Sequence, residues 1–205
     1  YGSLAYSQWL GGSLPTEAQW EFALRRKGSG AFQAPTAGTA VANQSASLYN
    51  EAYAYNGYTT GAISGTGVPD YVWYGGNSND ESTRTDYGVN ISHNHKVGEK
   101  EPNGLGLYDM NGNVWEWCAD FCPGREDYLL ADYVGNDGSD GNGIVVNPIN
   151  NTVASYSSPS LRFIRGGNWG GVAGNLRAGI RINIYAHDRY SDVGFRPAFL
   201  FPFAP

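Results

Sequence analysis

One stretch near the end of the chain, residues 165–196, constrains the fold more than any other. It reads RGGNWGGVAGNLRAGIRINIYAHDRYSDVGFR. Glycine pairs allow tight turns, a buried tryptophan anchors a core, and spaced arginines can hold loop carbonyls or carboxylates through fixed donors. We interpret these residue types as a rigid framework. Its members are Arg165, Gly166, Gly167, Trp169, Arg177, Arg181, Arg189, Gly194, Phe195 and Arg196.

The residues between the framework positions follow neither a helical nor an alternating period, so we predict that the stretch is not one regular element. Their mixture of Ile, Tyr, Asn, Asp and Gly is typical of a binding surface rather than a catalytic pocket. Isoleucine and tyrosine would supply apolar contact, and the polar side chains would select the ligand. The candidate ligand-binding positions are Gly170, Gly171, Val172, Gly174, Asn175, Ile180, Ile182, Asn183, Ile184, Tyr185, His187, Asp188, Tyr190, Ser191 and Asp192.

Length and composition limit the remaining possibilities. The 205 residues fit one large domain. Charged residues make up only 16% and the net charge is −6, so no basic patch is available for nucleic acid. No apolar run is long enough to span a membrane. The chain starts at Tyr1 without a methionine, which suggests a domain of a longer protein and leaves its localisation open.

Two helices are predicted near the N-terminus. Gly11 and Gly12 end the first. Thr16 and Gln19 form a capping box that begins the second, which should stop at Gly28. The apolar face of the second helix comprises Trp20, Ala23 and Leu24, and its basic last turn comprises Arg25, Arg26 and Lys27.

The central motif PNGLGLYDMNGNVWEW combines turn residues with a core strand over residues 114–117. Glu116 lies between two tryptophans, where burial without a partner would be costly. A bound cation would satisfy its carboxylate. Hydrogen bonds from the backbone or from an arginine would satisfy it equally well, and both alternatives stay open.

Two further pairs could carry chemistry. His93 and His95 would share a face of an extended chain and could begin a metal site, but no third ligand is evident and solvated loop histidines are favoured. Cys118 and Cys122 would lie roughly 13 Å apart in an extended strand at about 3.3 Å per residue, too far for a disulfide. We predict two buried thiols, unless the chain turns between them.

The other segments are less regular. Residues 28–95 should form loops with short strands. Residues 121–161 contain GNDGSDGNG, which we interpret as a flexible surface insertion rather than a calcium-binding loop. Strands are predicted at residues 161–164 and at residues 195–203.

Three motifs together resemble the formylglycine-generating-enzyme (sulfatase-modifying factor) superfamily: SLPTEAQWEFALR, GLYDMNGNVWEW and RGGNW followed by GFR. Residues 165–196 resemble the variable region of a diversity-generating retroelement variable protein that uses this fold. The resemblance implies one α+β domain over residues 1–205, the C-terminal part of a longer chain. It implies a C-type lectin-like fold with few short helices, short strands and much irregular loop.

The resemblance also implies a function. In such proteins adenine-directed mutagenesis turns asparagine codons into many residue types, but never into Lys, Glu, Gln, Met or Trp, and none of these occurs from Gly170 to Val193. We therefore expect a receptor-type ligand-binding protein whose variable region sets its specificity. The alternative is a fixed carbohydrate- or protein-binding lectin-like module. An oxidase is disfavoured, because the related enzyme's cysteine pair after the RGGSW-like motif is missing from RGGNWGGVAGNLR.

Cofactor and partner expectations rest on the same resemblance. It implies a structural calcium site formed by the side chains of Asp109 and Glu116 and the carbonyls of Gly112 and Val114, and oxygen ligands of this kind suit calcium. It also implies a protein ligand on a cell or phage surface, and a surface-displayed or phage-borne location.

Overall fold

The structure is a computed structural model, and it describes residues 2–27, 31–32, 72–78, 85–86, 89–90, 93–103, 105–122, 149, 160–176 and 178–199. Its helices are α1 (Gly2–Trp9), α2 (Glu17–Arg25) and a 3-10 helix at Ala173–Leu176. Its strands are β1 (Arg26–Lys27), β2 (Ala31–Phe32), β3 (Thr85–Asp86), β4 (Val89–Asn90), β5 (Trp115–Cys122), β6 (Leu161–Arg165), β7 (Arg181–Tyr185) and β8 (Val193–Gly194).

The main sheet has four strands in the order β7–β6–β5–β8. β6 pairs antiparallel with β5 and β7, and β8 pairs in parallel with β5. β1 and β2 form a separate antiparallel pair, as do β3 and β4. An isolated bridge joins Ser13 to Ala198. The stretch from residue 165 to residue 196 therefore supplies both edge strands of the main sheet.

Alternation along β5 determines what lies under α2. Side chains of successive residues in a strand point to opposite faces, and the even-numbered side chains from Glu116 to Cys122 are all buried. Trp20 of α2 donates its indole N–H to Glu116, and the backbone N–H of Glu17 donates to Asp120 over 2.7 Å. The core that forms here contains Trp20, Leu24, Val72, Met110, Cys118, Cys122, Phe163, Leu176 and Ala178.

The predicted start of the second helix is confirmed, and its predicted end is wrong. Thr16 Oγ1 accepts the N–H of Gln19 over 3.1 Å, and the Gln19 side chain accepts the N–H of Thr16 over 3.0 Å. The helix ends at Arg25, because Arg26 and Lys27 pair with β2 instead of continuing it. Gly28 lies outside the described residues.

The other predicted elements have mixed outcomes. The first helix is confirmed, and Gly11 follows it with φ 85°. The strand predicted at residues 114–117 is confirmed from Trp115 onward in β5, and the strand predicted at residues 161–164 is confirmed within β6. The closing strand is wrong over residues 195–199, where the backbone forms only the bridge at Ala198. Most of the loop predicted at residues 28–95 and residues 123–148 of the insertion lie outside the described residues.

Candidate functional site

The glycine pair at the start of the segment turns the chain against the central motif. Gly166 and Gly167 have φ values of 101° and 80°, which residues with a side chain rarely adopt. The carbonyl of Gly166 accepts the backbone N–H of Gly112 over 2.7 Å, and Trp169 donates its backbone N–H to the carbonyl of Asn113 over 2.8 Å. These two hydrogen bonds hold the first residues of the segment against residues 112–113 of the central motif.

Two framework arginines attach the segment to α2. Arg165 is 2% exposed, donates to the carbonyl of Ile180 over 3.0 Å and forms an ion pair with Glu21. Arg181 donates to Glu17 through Nε over 3.0 Å and through its terminal nitrogen. The prediction that spaced arginines hold carbonyls and carboxylates is confirmed at both positions.

Arg196 holds the other end of the segment. Its guanidinium donates two 2.6 Å hydrogen bonds to the Glu116 carboxylate, one to each oxygen. It also donates to the carbonyls of Tyr108 and Asp109 over 3.0 and 3.1 Å. A bidentate pair of this kind is strong and geometrically specific. The charge of Glu116, which is 5% exposed, is therefore balanced by an arginine 80 residues away.

The expected calcium ligands do not fit a calcium ion in this arrangement. Both oxygens of Glu116 are taken by Arg196, and one also accepts the Trp20 indole N–H over 2.7 Å. Asp109 is different, because its Oδ1 is buried and has no hydrogen-bond partner among the described residues. In the part of the chain that the structure describes, no three His, Cys, Asp or Glu side chains form a metal-binding group. These contacts do not test calcium binding itself, but they favour the arginine alternative for Glu116.

Two other framework arginines differ from these. Arg189 is exposed, and it makes no ion pair or hydrogen bond with any described residue. Its assignment to the framework therefore stays a prediction, because none of its described contacts holds another part of the fold. Arg177 lies outside the described residues.

No candidate binding position is among the residues of the segment that the structure shows as buried. Among the described residues from 165 to 196, the buried ones are Arg165, Gly166, Gly167, Leu176, Ala178 and Ala186, and none of them is a candidate position. Every candidate whose burial is described is exposed or half-buried, and the burial of Gly174 is not described. Among the large apolar and aromatic candidates the exposed ones are Val172 (70%), Tyr190 (54%) and Ile182 (36%).

The first group of candidates lies in the loop before and within the 3-10 helix: Gly170, Gly171, Val172, Gly174 and Asn175. Gly171 accepts the N–H of Gly75 through its carbonyl over 2.9 Å, so the loop is fixed by its backbone. The side chain of Asn168 donates to Asp192, which joins this loop to the end of the segment.

The second group lies before and along β7 and divides between two faces of the sheet. Ile182 and Ile184 lie on the face that includes Ile164, whereas Asn183 pairs with Phe163 on the α2 side. Asn183 donates to the sulfur of Cys122 over 3.2 Å, so it contacts the core as well as solvent. Ile180, just before the strand, is half-buried.

The third group forms the turn after β7. The N–H of Tyr185 donates to Asp188 Oδ2 over 3.1 Å, and the N–H of Asp188 returns to the Tyr185 carbonyl over 2.8 Å. The Tyr190 hydroxyl contacts the same oxygen at 3.4 Å, and the Tyr185 and His187 rings stack 5.6 Å apart. Asp188 therefore orders this turn. Ser191, also a candidate, is exposed.

A pocket of about 400 Å³ opens beside this turn. The sequence predicts three of its residues as ligand-binding positions: His187, Asp188 and Tyr190. The binding role of the other lining residues is not evident from the sequence. Trp117 could have been found from the alternation of β5, because it points away from the face of Glu116. The first turn of α1 could not, because only the tertiary fold brings it here. The pocket is lined by Gly2, Ser3, Trp117, Ala186, His187, Asp188, Arg189, Tyr190 and Val193.

The two histidines lie together, as predicted, and both are half-buried, with their rings stacked. The His93 and His95 rings are 4.6 Å apart, and His95 stacks on Trp73 at 3.6 Å. His95 Nε2 is 3.2 Å from the carbonyl of Ser78. These contacts assign His95 a packing role beside the central motif.

The prediction for the cysteines is confirmed. Cys118 and Cys122 are free and buried. Burial, followed by the nearby charge of Glu17, raises the pKa of the Cys118 thiol well above its usual value. A thiol in this state is a poor nucleophile and a poor metal ligand at neutral pH.

The chain belongs to the sulfatase-modifying factor enzyme 1-like domain family, whose members match it over residues 1–199. This match confirms the α+β, C-type lectin-like fold of the formylglycine-generating-enzyme type that the motifs predicted. No helix in the described residues is long and apolar enough to cross a membrane.

Particular relatives include the formylglycine-generating enzymes of Thermomonospora curvata and Streptomyces coelicolor, each 31% identical to the chain over 58% and 57% of its length. The chain spans only 30% and 29% of those two proteins. Among solved structures, Treponema denticola variable protein 1 is 31% identical over 89% of this chain and 45% of its own, with a TM-score of 0.49. A superposition this loose carries no functional conclusion.

Proposed function

We propose that the chain is a receptor-type ligand-binding domain, and that adenine-directed mutagenesis of residues 165–196 changes its specificity. The observation that carries this proposal is that none of the candidate positions is among the buried residues of the segment. Substitutions at exposed or half-buried positions can alter a binding surface while the buried residues keep the fold, which is how a site is grafted onto a scaffold. The absence of Lys, Glu, Gln, Met and Trp from residues 170–193 supports it as well.

We also propose that the domain does not work as a formylglycine-generating-type oxidase. The sequence that follows RGGNW contains no cysteine. The thiols of Cys118 and Cys122 are buried in β5, on the face that packs under α2, and the raised pKa keeps Cys118 protonated. A fixed carbohydrate- or protein-binding module is the alternative function. The proposed ligand is a protein on a cell or phage surface, and the proposed location is surface-displayed or phage-borne.

Sequencing the DNA that flanks the gene tests the diversification. We expect a near-copy of codons 165–196 beside a reverse-transcriptase gene, with differences only where the copy carries adenine. The framework codons are the internal control and should be identical in both copies. If no copy exists, the segment is fixed and the alternative holds. If the differences fall at framework codons, the candidate positions were assigned wrongly.

A further inference from the structure

The pocket beside the turn after β7 has the size and the walls of a binding subsite. Its volume of about 400 Å³ is within the range of small-ligand sites, roughly 300–1,000 Å³. Tyr190 lines the pocket and is 54% exposed, and Trp117 lines the pocket and is half-buried. Tyrosine, tryptophan and arginine are the residues most often found where binding energy concentrates in interfaces, and this pocket has one of each.

Arg189 is the charged group of the pocket that remains available. Arg165, Arg181 and Arg196 each bind a glutamate of the fold. Arg189 is exposed, lines the pocket and pairs with no described residue. A guanidinium whose donors are not engaged by the described residues is suited to a carboxylate, which it can bind through two parallel hydrogen bonds.

The acidic group of the pocket is already engaged. Asp188 Oδ2 accepts the N–H of Tyr185 and contacts the Tyr190 hydroxyl, and Oδ1 lies 3.7 Å from His187 Nε2. Its charge is therefore spread over neighbours within its own turn. The net charge of −6 opposes an anion only weakly at the pocket, because salt at about 0.15 M screens charges beyond about 8 Å.

We infer that this pocket is an anchor subsite for a carboxylate-bearing side chain of the protein ligand, with Arg189 as its charged contact. The inference rests on the proposed function and gives it a chemical preference. The carboxylate binds the Arg189 guanidinium, and the methylene stem of the side chain lies against Tyr190 and Trp117.

Titration of the isotope-labelled protein with N-acetylglutamate amide, followed by NMR, tests this. We expect saturable shifts at the Trp117 indole N–H and at residues 186–193, with a dissociation constant on the order of 1–10 mM for one side chain. The glutamine analogue has the same shape without the charge and should bind at least about tenfold more weakly. Arg189→Gln should abolish the difference between the two probes.

Lys96→Gln is the matched control, because Lys96 is exposed, lies outside the pocket and carries the same charge. It should leave binding of N-acetylglutamate amide unchanged. Three results would overturn the inference: no saturable shift at the pocket, equal binding of the N-acetyllysine analogue, or unchanged binding to Arg189→Gln. If one of these results is obtained and the DNA near-copy of codons 165–196 is nevertheless present, the ligand is recognised by another part of the segment. Carboxylate binding without a template copy would define a fixed site.

Discussion

Removing Arg196 should destabilise the domain far more than removing Arg189, although both arginines belong to the same segment. Arg196→Ala leaves the 5% exposed Glu116 charged and without its guanidinium, and it removes a donor from the carbonyls of Tyr108 and Asp109. Breaking a buried pair costs about 3–5 kcal/mol. Because the Arg196 side chain is 25% exposed, water replaces part of the interaction and we expect the lower end, about 3 kcal/mol.

Thermal and urea unfolding of the two alanine variants measure this difference. A loss of about 3 kcal/mol lowers the Tm by about 6–12 °C in a domain of this size, whereas Arg189→Ala should stay within about 0.5 kcal/mol of the parent. The double variant Glu116→Gln with Arg196→Met should recover part of the loss, because no unpaired charge remains. A cost below about 1 kcal/mol for Arg196→Ala, or equal costs for both arginines, would refute the reasoning.

Three further predictions concern single sites. Tyr190→Ala should change the free energy of unfolding by less than about 0.5 kcal/mol in urea titration, because the ring is 54% exposed; a large loss would make it a core residue. Because the pKa of Cys118 is raised in the folded protein, the unfolded chain loses the thiol proton at a lower pH than the folded protein does. Above pH 9.0 the free energy of unfolding should therefore fall by up to about 1.4 kcal/mol per pH unit. Cys118→Ala should lack this contribution, and an unchanged pH slope in that variant would contradict it. Adding calcium should shift the Tm by less than about 1 °C, because Arg196 already occupies Glu116; a rise of several degrees, lost in Asp109→Asn, would instead support a calcium site.

Local signals in the sequence predicted local structure well. The capping box at Thr16 and Gln19 starts α2 as predicted, because both partners lie within one helical turn. The end of α2 could not be read in the same way. Arg26 and Lys27 look like a basic last turn, but pairing with β2 takes them out of the helix.

Long-range pairing explains most of what the sequence left open. Glu116 was recognised as a residue that needs a partner, and Arg196 as one that needs an acceptor. Nothing in the spacing of two residues 80 positions apart says that they meet. The sequence therefore leaves the cation and the arginine as alternatives for Glu116, and the contact with Arg196 favours the arginine.

Within residues 165–196 the sequence predicts which positions are accessible better than it predicts whether a residue supports the fold or contacts a ligand. Arg181 to Tyr185 alternates polar and apolar residues over five positions, which is enough to indicate a strand, but the irregular residues on either side hide this period within the whole segment. The sequence predicts a ligand-selecting role for Asp188, and the structure shows that its carboxylate also orders its own turn. The sequence predicts a framework role for Arg189, whose position in the pocket depends on the fold.

Saturation mutagenesis of residues 165–196, with each variant scored for folded protein on a cell surface, shows directly whether a scaffold and a binding surface are separate within this segment. We expect the candidate positions to accept most residue types, whereas the buried positions, together with Arg181 and Arg196, should accept few. Asp188 should be intermediate because of its turn contacts. Equal tolerance at buried and candidate positions, or intolerance at exposed candidates such as Val172 and Tyr190, would contradict the separation of scaffold from binding surface.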